Sequence, residues 1–237
     1  MFYLDPLYLV IFVVTLVISL AAQMYIKSAY GKWSKVANSH NLTGLQVGQE
    51  LLRDTGLGAT YQMSRGTGVQ FQGIAGNLTD HYDPRTHTVG LSQGVANQPS
   101  VASMAIVAHE LGHAQQYAAK SPLIAARSFL LPAMRVSPMI SYGLIMMGLI
   151  LNFVGAIYLG IFFFGITVLF SVITLPVEFD ASRRAMKLLG EAGLLTSPQD
   201  EKGARTVLRA AAATYVAATV TAILQLLYYL SLANRRR

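Results

Sequence analysis

Cysteine is absent from the 237-residue chain. That absence excludes a disulfide framework, a thiolate zinc site and a cysteine nucleophile, so any metal must be held by histidine, carboxylate or water. Charge is scarce as well: 12% of the residues are Asp, Glu, Lys or Arg while 53% are apolar. An ordinary soluble domain carries roughly twice that share of charge, and the shortfall points to contact with lipid. The formal net charge of +7 does not signal nucleic-acid binding, because the basic residues are spread beside apolar runs and form no compact patch. There is no internal repeat and no low-complexity linker.

What the sequence has in quantity is long apolar runs. A spanning helix needs about 20 mostly apolar residues to cross roughly 30 Å of hydrocarbon. Residues 7–26 form a first uncharged run; it follows Asp5 with no Lys or Arg before it, and it exceeds the roughly 7–15 apolar residues of a secretory signal. Residues 138–177 are too many for one helix and enough for a hairpin of two, with Asn152 and Gly155 marking the turn. A last run, 210–232, leads into Arg235, Arg236 and Arg237. A mainly α membrane protein with about four transmembrane helices is therefore expected. Lys27, Lys32 and Lys35 follow the first run, Arg127 and Arg135 precede the second, and Arg183, Arg184 and Lys187 follow the third. The positive-inside rule puts these segments in the cytoplasm and both termini outside. The terminal arginine triplet argues the other way for the carboxyl terminus, which leaves its side open.

Two polar segments, 27–135 and 178–209, lie between the runs. Residues 45–55 place Leu45, Val47, Leu51 and Leu52 among polar neighbours, the pattern of a short amphipathic helix closed by Gly56. From Val69 to Leu91 the pattern alternates instead, and Asp83-Pro84 separates two extended stretches, 78–82 and 87–91, so a hairpin within a small antiparallel sheet is expected. Ser100 then stands at a cap position before an apolar run from Val101 to Ala119, which reads as a helix ending ahead of Ser121-Pro122. Residues 177–189 read as a helical continuation of the third span, stopped by Gly190 and Gly193.

Chemistry is concentrated in His109-Glu110-Leu111-Gly112-His113. Residues four apart share a helix face, so both imidazoles can reach one tetrahedral metal with Glu110 beside the remaining coordination position. There Glu110 can take a proton from metal-activated water and deliver it to a leaving amine. Zinc suits two imidazoles and a carboxylate, although the pattern alone also admits manganese or iron. A catalytic zinc usually has three protein ligands, and positions 116 and 119 are Gln116 and Ala119, so no third histidine follows on the helix. Glu178 is the best candidate, since a two-span hairpin returns the chain to the side it left. Asp180 lies about 200° around a helix from Glu178 and cannot readily share its metal. Pairing of Glu178 with Arg183 or Arg184 is the plain alternative.

The segments Leu78-Thr79-Asp80-His81-Tyr82-Asp83-Pro84-Arg85, Ala108-His109-Glu110-Leu111-Gly112-His113-Ala114-Gln115-Gln116 and Pro176-Val177-Glu178-Phe179-Asp180-Ala181-Ser182-Arg183-Arg184-Ala185 together resemble the YugP-like neutral zinc metallopeptidases, small bacterial membrane proteins. The resemblance covers nearly the whole chain. It implies a zincin-like cytoplasmic α+β domain, membrane-bound zinc-dependent proteolysis at the bacterial inner membrane, and Glu178 as third ligand in the gluzincin manner. A more distant likeness is to HtpX-type membrane proteases, whose Glu-x-x-x-Asp motif supplies a ligand and a carboxylate that orients a ligating histidine. Position 182 is serine here, so either Ser182 orients an imidazole or Asp180 does so from a non-helical turn. His81, within the matched segment, is a candidate oxyanion stabiliser or an exposed strand histidine.

The expected partners are the lipid bilayer and a peptide or protein substrate, membrane proteins included, with no nucleic acid; the oligomeric state is not legible. A metal-binding scaffold without turnover is the alternative, but it has no physical need for Glu110. A pore lined by Tyr142, Asn152 and Gln225 is a third reading, weakened by the lack of ionisable residues within the spans.

Overall fold

A computed structural model describes residues 5–54 and 68–236. Thr55 and Gly56, expected to close a helix, and Arg237 of the terminal triplet lie outside the described residues. The elements run α1 (Pro6–Trp33), α2 (Gly44–Asp54), β1 (Gln70–Ile74), β2 (His81–Asp83), β3 (Thr88–Ser92), α3 (Gln93–Asn97), α4 (Val101–Ala118), α5 (Pro122–Ile150), α6 (Val154–Glu191) and α7 (Pro198–Asn234). Four of these, α1, α5, α6 and α7, are long and apolar enough to cross a membrane. The chain divides into two compact units, residues 1–23, 125–176 and 213–237 in one and residues 24–124 and 177–212 in the other.

The first unit is apolar on its outside. Val13, Val17, Phe129, Met139 and Phe162 are each more than half exposed, which water would penalise and lipid tails would not. Its interior packs Ile145, Ile157, Ile161 and Phe164 with Tyr228 and Tyr229. The turn between α5 and α6 falls at Asn152, which adopts φ +51, a left-handed conformation that asparagine tolerates better than most residues. Gly155, the other residue expected to mark that turn, already lies within α6. Asp5 pairs with Arg235 at 2.6 Å, and Arg236 donates to Leu149 O and Asn152 Oδ1 at 3.3 and 3.1 Å. The start of α1, the α5–α6 turn and the end of α7 therefore share one end of this unit, as an even number of spans requires. Helix α5 begins at Pro122, well before the apolar run that starts at Pro138, and contains Pro132 and Pro138; Pro122 occupies the first helical position, where its missing N–H costs nothing.

The second unit is built around α4. The Ser100 side chain accepts from the Ser103 backbone N–H and caps the helix, and Val101, Met104, Ala105, Val107, Ala108 and Leu111 are buried along it. They pack with Val47 and Leu51 of α2, Val89 and Leu91 of β3, Leu188 and Leu189 of α6, and Val207 and Leu208 of α7. Helix α6 ends at Glu191, and beyond it Gly193 takes φ +65 while Leu194 N–H returns to Leu189 O at 2.9 Å, a Schellman closure. Gly190 stays inside the helix.

The three-stranded sheet has the order β1-β3-β2. The expected hairpin is present, with Tyr82 opposite Val89 in an antiparallel pair. The sheet is mixed, however, and not wholly antiparallel: β1 runs parallel to β3, with Phe71 beside Val89. Alternation in sequence reports which residues face the core and is silent on strand direction, which depends on the long connection from β1.

Candidate metal centre

Every residue of the site belongs to the second unit. His109 and His113 stand one turn apart on α4, and Glu178 projects from α6. Their side chains are only 13%, 12% and 2% exposed, and Glu178 Oε2 lies 3.3 Å from His109 Nε2 and 3.5 Å from His113 Nε2. One ligand atom from each of the three falls within 4.8 Å of the other two. The two Nε2–Oε2 separations exceed a good N–H···O hydrogen bond. They match the edge of a tetrahedron, about 3.3–3.4 Å for ligand bonds of about 2.0–2.1 Å. Two imidazoles and a carboxylate on such edges leave a fourth corner open, the donor set of a hydrolytic zinc site, and the residues fit the ion.

The helix approach that brings them together depends on small residues. Ala181 and Ala185 of α6 are fully buried, and a Cβ built on Gly112 would lie 2.5 Å from the Ala181 carbonyl oxygen. Only glycine permits that contact. Glu110 is 7% exposed and near enough to act on His113: burial works to lower the His113 pKa, yet the adjacent carboxylates of Glu178 and Glu110 hold it above the ordinary histidine value.

The opposite ring nitrogens are also engaged. His113 Nδ1 is 3.0 Å from Gln116 Oε1, and the Gln116 amide nitrogen donates to Val177 O at 2.8 Å and to Asp180 Oδ2 at 2.9 Å. Arg184 Nε donates to the same carboxylate oxygen at 2.6 Å. Asp180 sits within helix α6 and so reaches an imidazole through Gln116, not from a non-helical turn. Ser182 Oγ lies 3.4 Å from His109 Nδ1, a long contact. Arg183 and Arg184 both pair with Asp180, which removes the expectation that they would neutralise Glu178. Gln116 was legible only as the absence of a third histidine, although its place three residues after His113 puts it on the same face.

His81 is exposed on edge strand β2, with Nδ1 2.9 Å from Thr79 O. Its Nδ1–H donates there, so the neutral ring presents a lone pair at Nε2 and would meet an oxyanion only as imidazolium. Tyr82, its neighbour, turns inward and contacts Tyr117 of α4 with ring centroids 5.5 Å apart.

Four helices long and apolar enough to span a bilayer, and a His-His-Glu cluster on two helices that could hold a metal ion, are the features of a membrane metalloprotein. The family model described as "Putative neutral zinc metallopeptidase" matches residues 8–234, and the chain belongs to that family. The "Putative membrane protease YugP" of Bacillus subtilis (strain 168) is 34% identical over 223 residues, which cover 94% of this chain and 95% of that protein. No solved structure matches. Zinc is accordingly the cofactor, and His109, His113 and Glu178 could hold it.

Proposed function

We propose that the protein is a zinc-dependent endopeptidase of the membrane, with His109, His113 and Glu178 as zinc ligands and Glu110 as general base. The observation that carries the reading is the convergence of two imidazole Nε2 atoms on one Glu178 oxygen, beside a buried Glu110. Zinc, when bound, supplies a Lewis acid that acidifies water and polarises a scissile carbonyl. Glu110 accepts a proton from the attacking water as its oxygen bonds to the carbonyl carbon. It then delivers that proton to the amine nitrogen as the C–N bond breaks, so acid and base are one residue used twice. The buried walls around His113 and Glu178 limit competing water.

Substrate lies extended along β2, an outer strand of the sheet whose Tyr82 packs on the zinc-binding helix; main-chain pairing of this kind asks little of the substrate's sequence. Segments of membrane proteins and exposed unfolded chains suit it. Apart from the terminal triplet, every Lys and Arg lies between Lys27 and Arg209, and all of these but Arg127 and Arg135 fall in the unit that carries the site, which favours the cytoplasmic face of a bacterial inner membrane. His81 acts as an oxyanion stabiliser in this scheme only if charged.

Glu110→Gln in purified protein tests the reading. Glutamine keeps the shape and loses the base, so zinc content should stay at the parent level while peptide hydrolysis falls about 10²–10⁴-fold. Near-normal turnover would remove Glu110 from the mechanism.

A further inference from the structure

We infer that Gln116 is a positioning residue that fixes the tautomer and direction of His113 and couples it to α6 through Asp180. The inference rests on the zinc-site reading and extends it to the opposite side of the ligand.

The hydrogen-bond chemistry allows one arrangement. Gln116 is 1% exposed, so its amide must find partners within the protein. Two of those partners, the Val177 carbonyl and the Asp180 carboxylate, can only accept, and they claim both hydrogens of the amide nitrogen. The amide oxygen is left facing His113 Nδ1 at 3.0 Å. An oxygen can only accept, so Nδ1 must carry the imidazole hydrogen and the neutral ring has its lone pair on Nε2. That is the nitrogen beside Glu178. The assignment follows from the partners, because a reversed amide would set its oxygen against the two acceptors Val177 O and Asp180 Oδ2.

An amide serves here better than a carboxylate. Glu110 and Glu178 already place two buried carboxylates at the site, and Asp180 stands behind it. A further negative charge at position 116 would face Asp180 and the Val177 carbonyl with no hydrogen to offer either. Gln116 instead passes on the polarising influence of Asp180 while remaining neutral, and Arg184 balances Asp180 at 2.6 Å. The same amide spans from α4 to α6, so the relation between His113 and Glu178 is held from both sides of the imidazole. Removing an orienting partner of this kind typically costs 10–100-fold in metal affinity.

The experiment combines ¹⁵N-histidine spectra with zinc competition against a chelator, on full-length protein in detergent. In the unaltered, zinc-loaded protein the His113 ring should keep its hydrogen on Nδ1. Gln116→Leu should weaken zinc binding about 10–100-fold and, without zinc, let the His113 ring sample both tautomers; a merely structural role would lower thermal stability without that spectral change. A hydrogen on Nε2 in the unaltered protein overturns the inference, and that measurement decides even where Gln116→Leu does not fold. Zinc affinity within twofold of the parent in Gln116→Leu also overturns it, provided His113→Ala loses zinc. Parent-like affinity in His113→Ala instead rejects the zinc-site reading itself.

Discussion

Gly112 of the pentad lies directly against Ala181, so that a Cβ at position 112 would stand 2.5 Å from a backbone carbonyl oxygen. Backbone cannot swing aside as a flexible side chain can. Gly112→Ala should therefore push α6 away from α4, at the cost of overpacking, typically about 1–3 kcal/mol. Ala181 follows Glu178 by three residues and shares its face of the helix, so the same displacement should withdraw the carboxylate from the histidines. Thermal unfolding and zinc titration of Gly112→Ala check both parts. Parent-like zinc affinity would show that the close approach matters for stability alone.

Glu178 is the one proposed ligand that local sequence pattern does not supply. If it completes the set, Glu178→Ala should lower zinc occupancy nearly as far as His113→Ala, each having removed one of three ligands. Asp180→Ala should act differently, since it leaves all three ligands in place and removes the far partner of Gln116. Zinc per protein measured in the purified variants separates the roles. Full occupancy in Glu178→Ala would exclude it as a ligand.

These cases show which features a sequence makes legible. Apolar runs, the helical spacing of His109 and His113, and the turn at Asp83-Pro84 are local, and each was readable because its physical cause lies within a few residues. Glu178 was reachable by one topological step, the hairpin that returns α6 toward the side from which α5 departs. The link from Gln116 to Val177 and Asp180 joins residues more than 60 positions apart, and no periodicity encodes it. The parallel pairing of β1 with β3 was hidden for the same reason. The full length of α5 was not legible either: the uncharged run begins only at Pro138, whereas the helix begins at Pro122 and carries Pro132 and Pro138 inside it.

Removal of zinc should lower stability without unfolding the second unit. Its core of α2, α3, α4 and β3 side chains is continuous and does not pass through the site, unlike small domains that fold only around a metal. Ligand linkage sets the size of the effect: free zinc at 100 times its dissociation constant adds about 2.7 kcal/mol. A chelator should thus lower the unfolding temperature by about 5–10 °C while the helical circular dichroism below the transition stays unchanged. Loss of helix on chelation would mean that the metal is needed for folding.

The lack of cysteine makes the orientation in the membrane clean to measure. Leu151, 66% exposed at the α5–α6 turn, lies at the same end of its unit as Asp5 and Arg235. Lys187 is exposed on the surface of the second unit, with 73% of its side chain accessible. Four spans place the turn and both termini on one side of the bilayer, and the lysines and arginines after the first and third spans place residue 187 on the cytoplasmic side. The arginines at the carboxyl end weigh little against this, because Arg235 is paired with Asp5 and Arg236 is bonded to the α5–α6 turn. Leu151→Cys should then react with a membrane-impermeant maleimide in intact cells, whereas Lys187→Cys should react only after the cells are opened. The reverse pattern would put the zinc site outside the cytoplasm, and labelling of both from one side would reject the four-span arrangement.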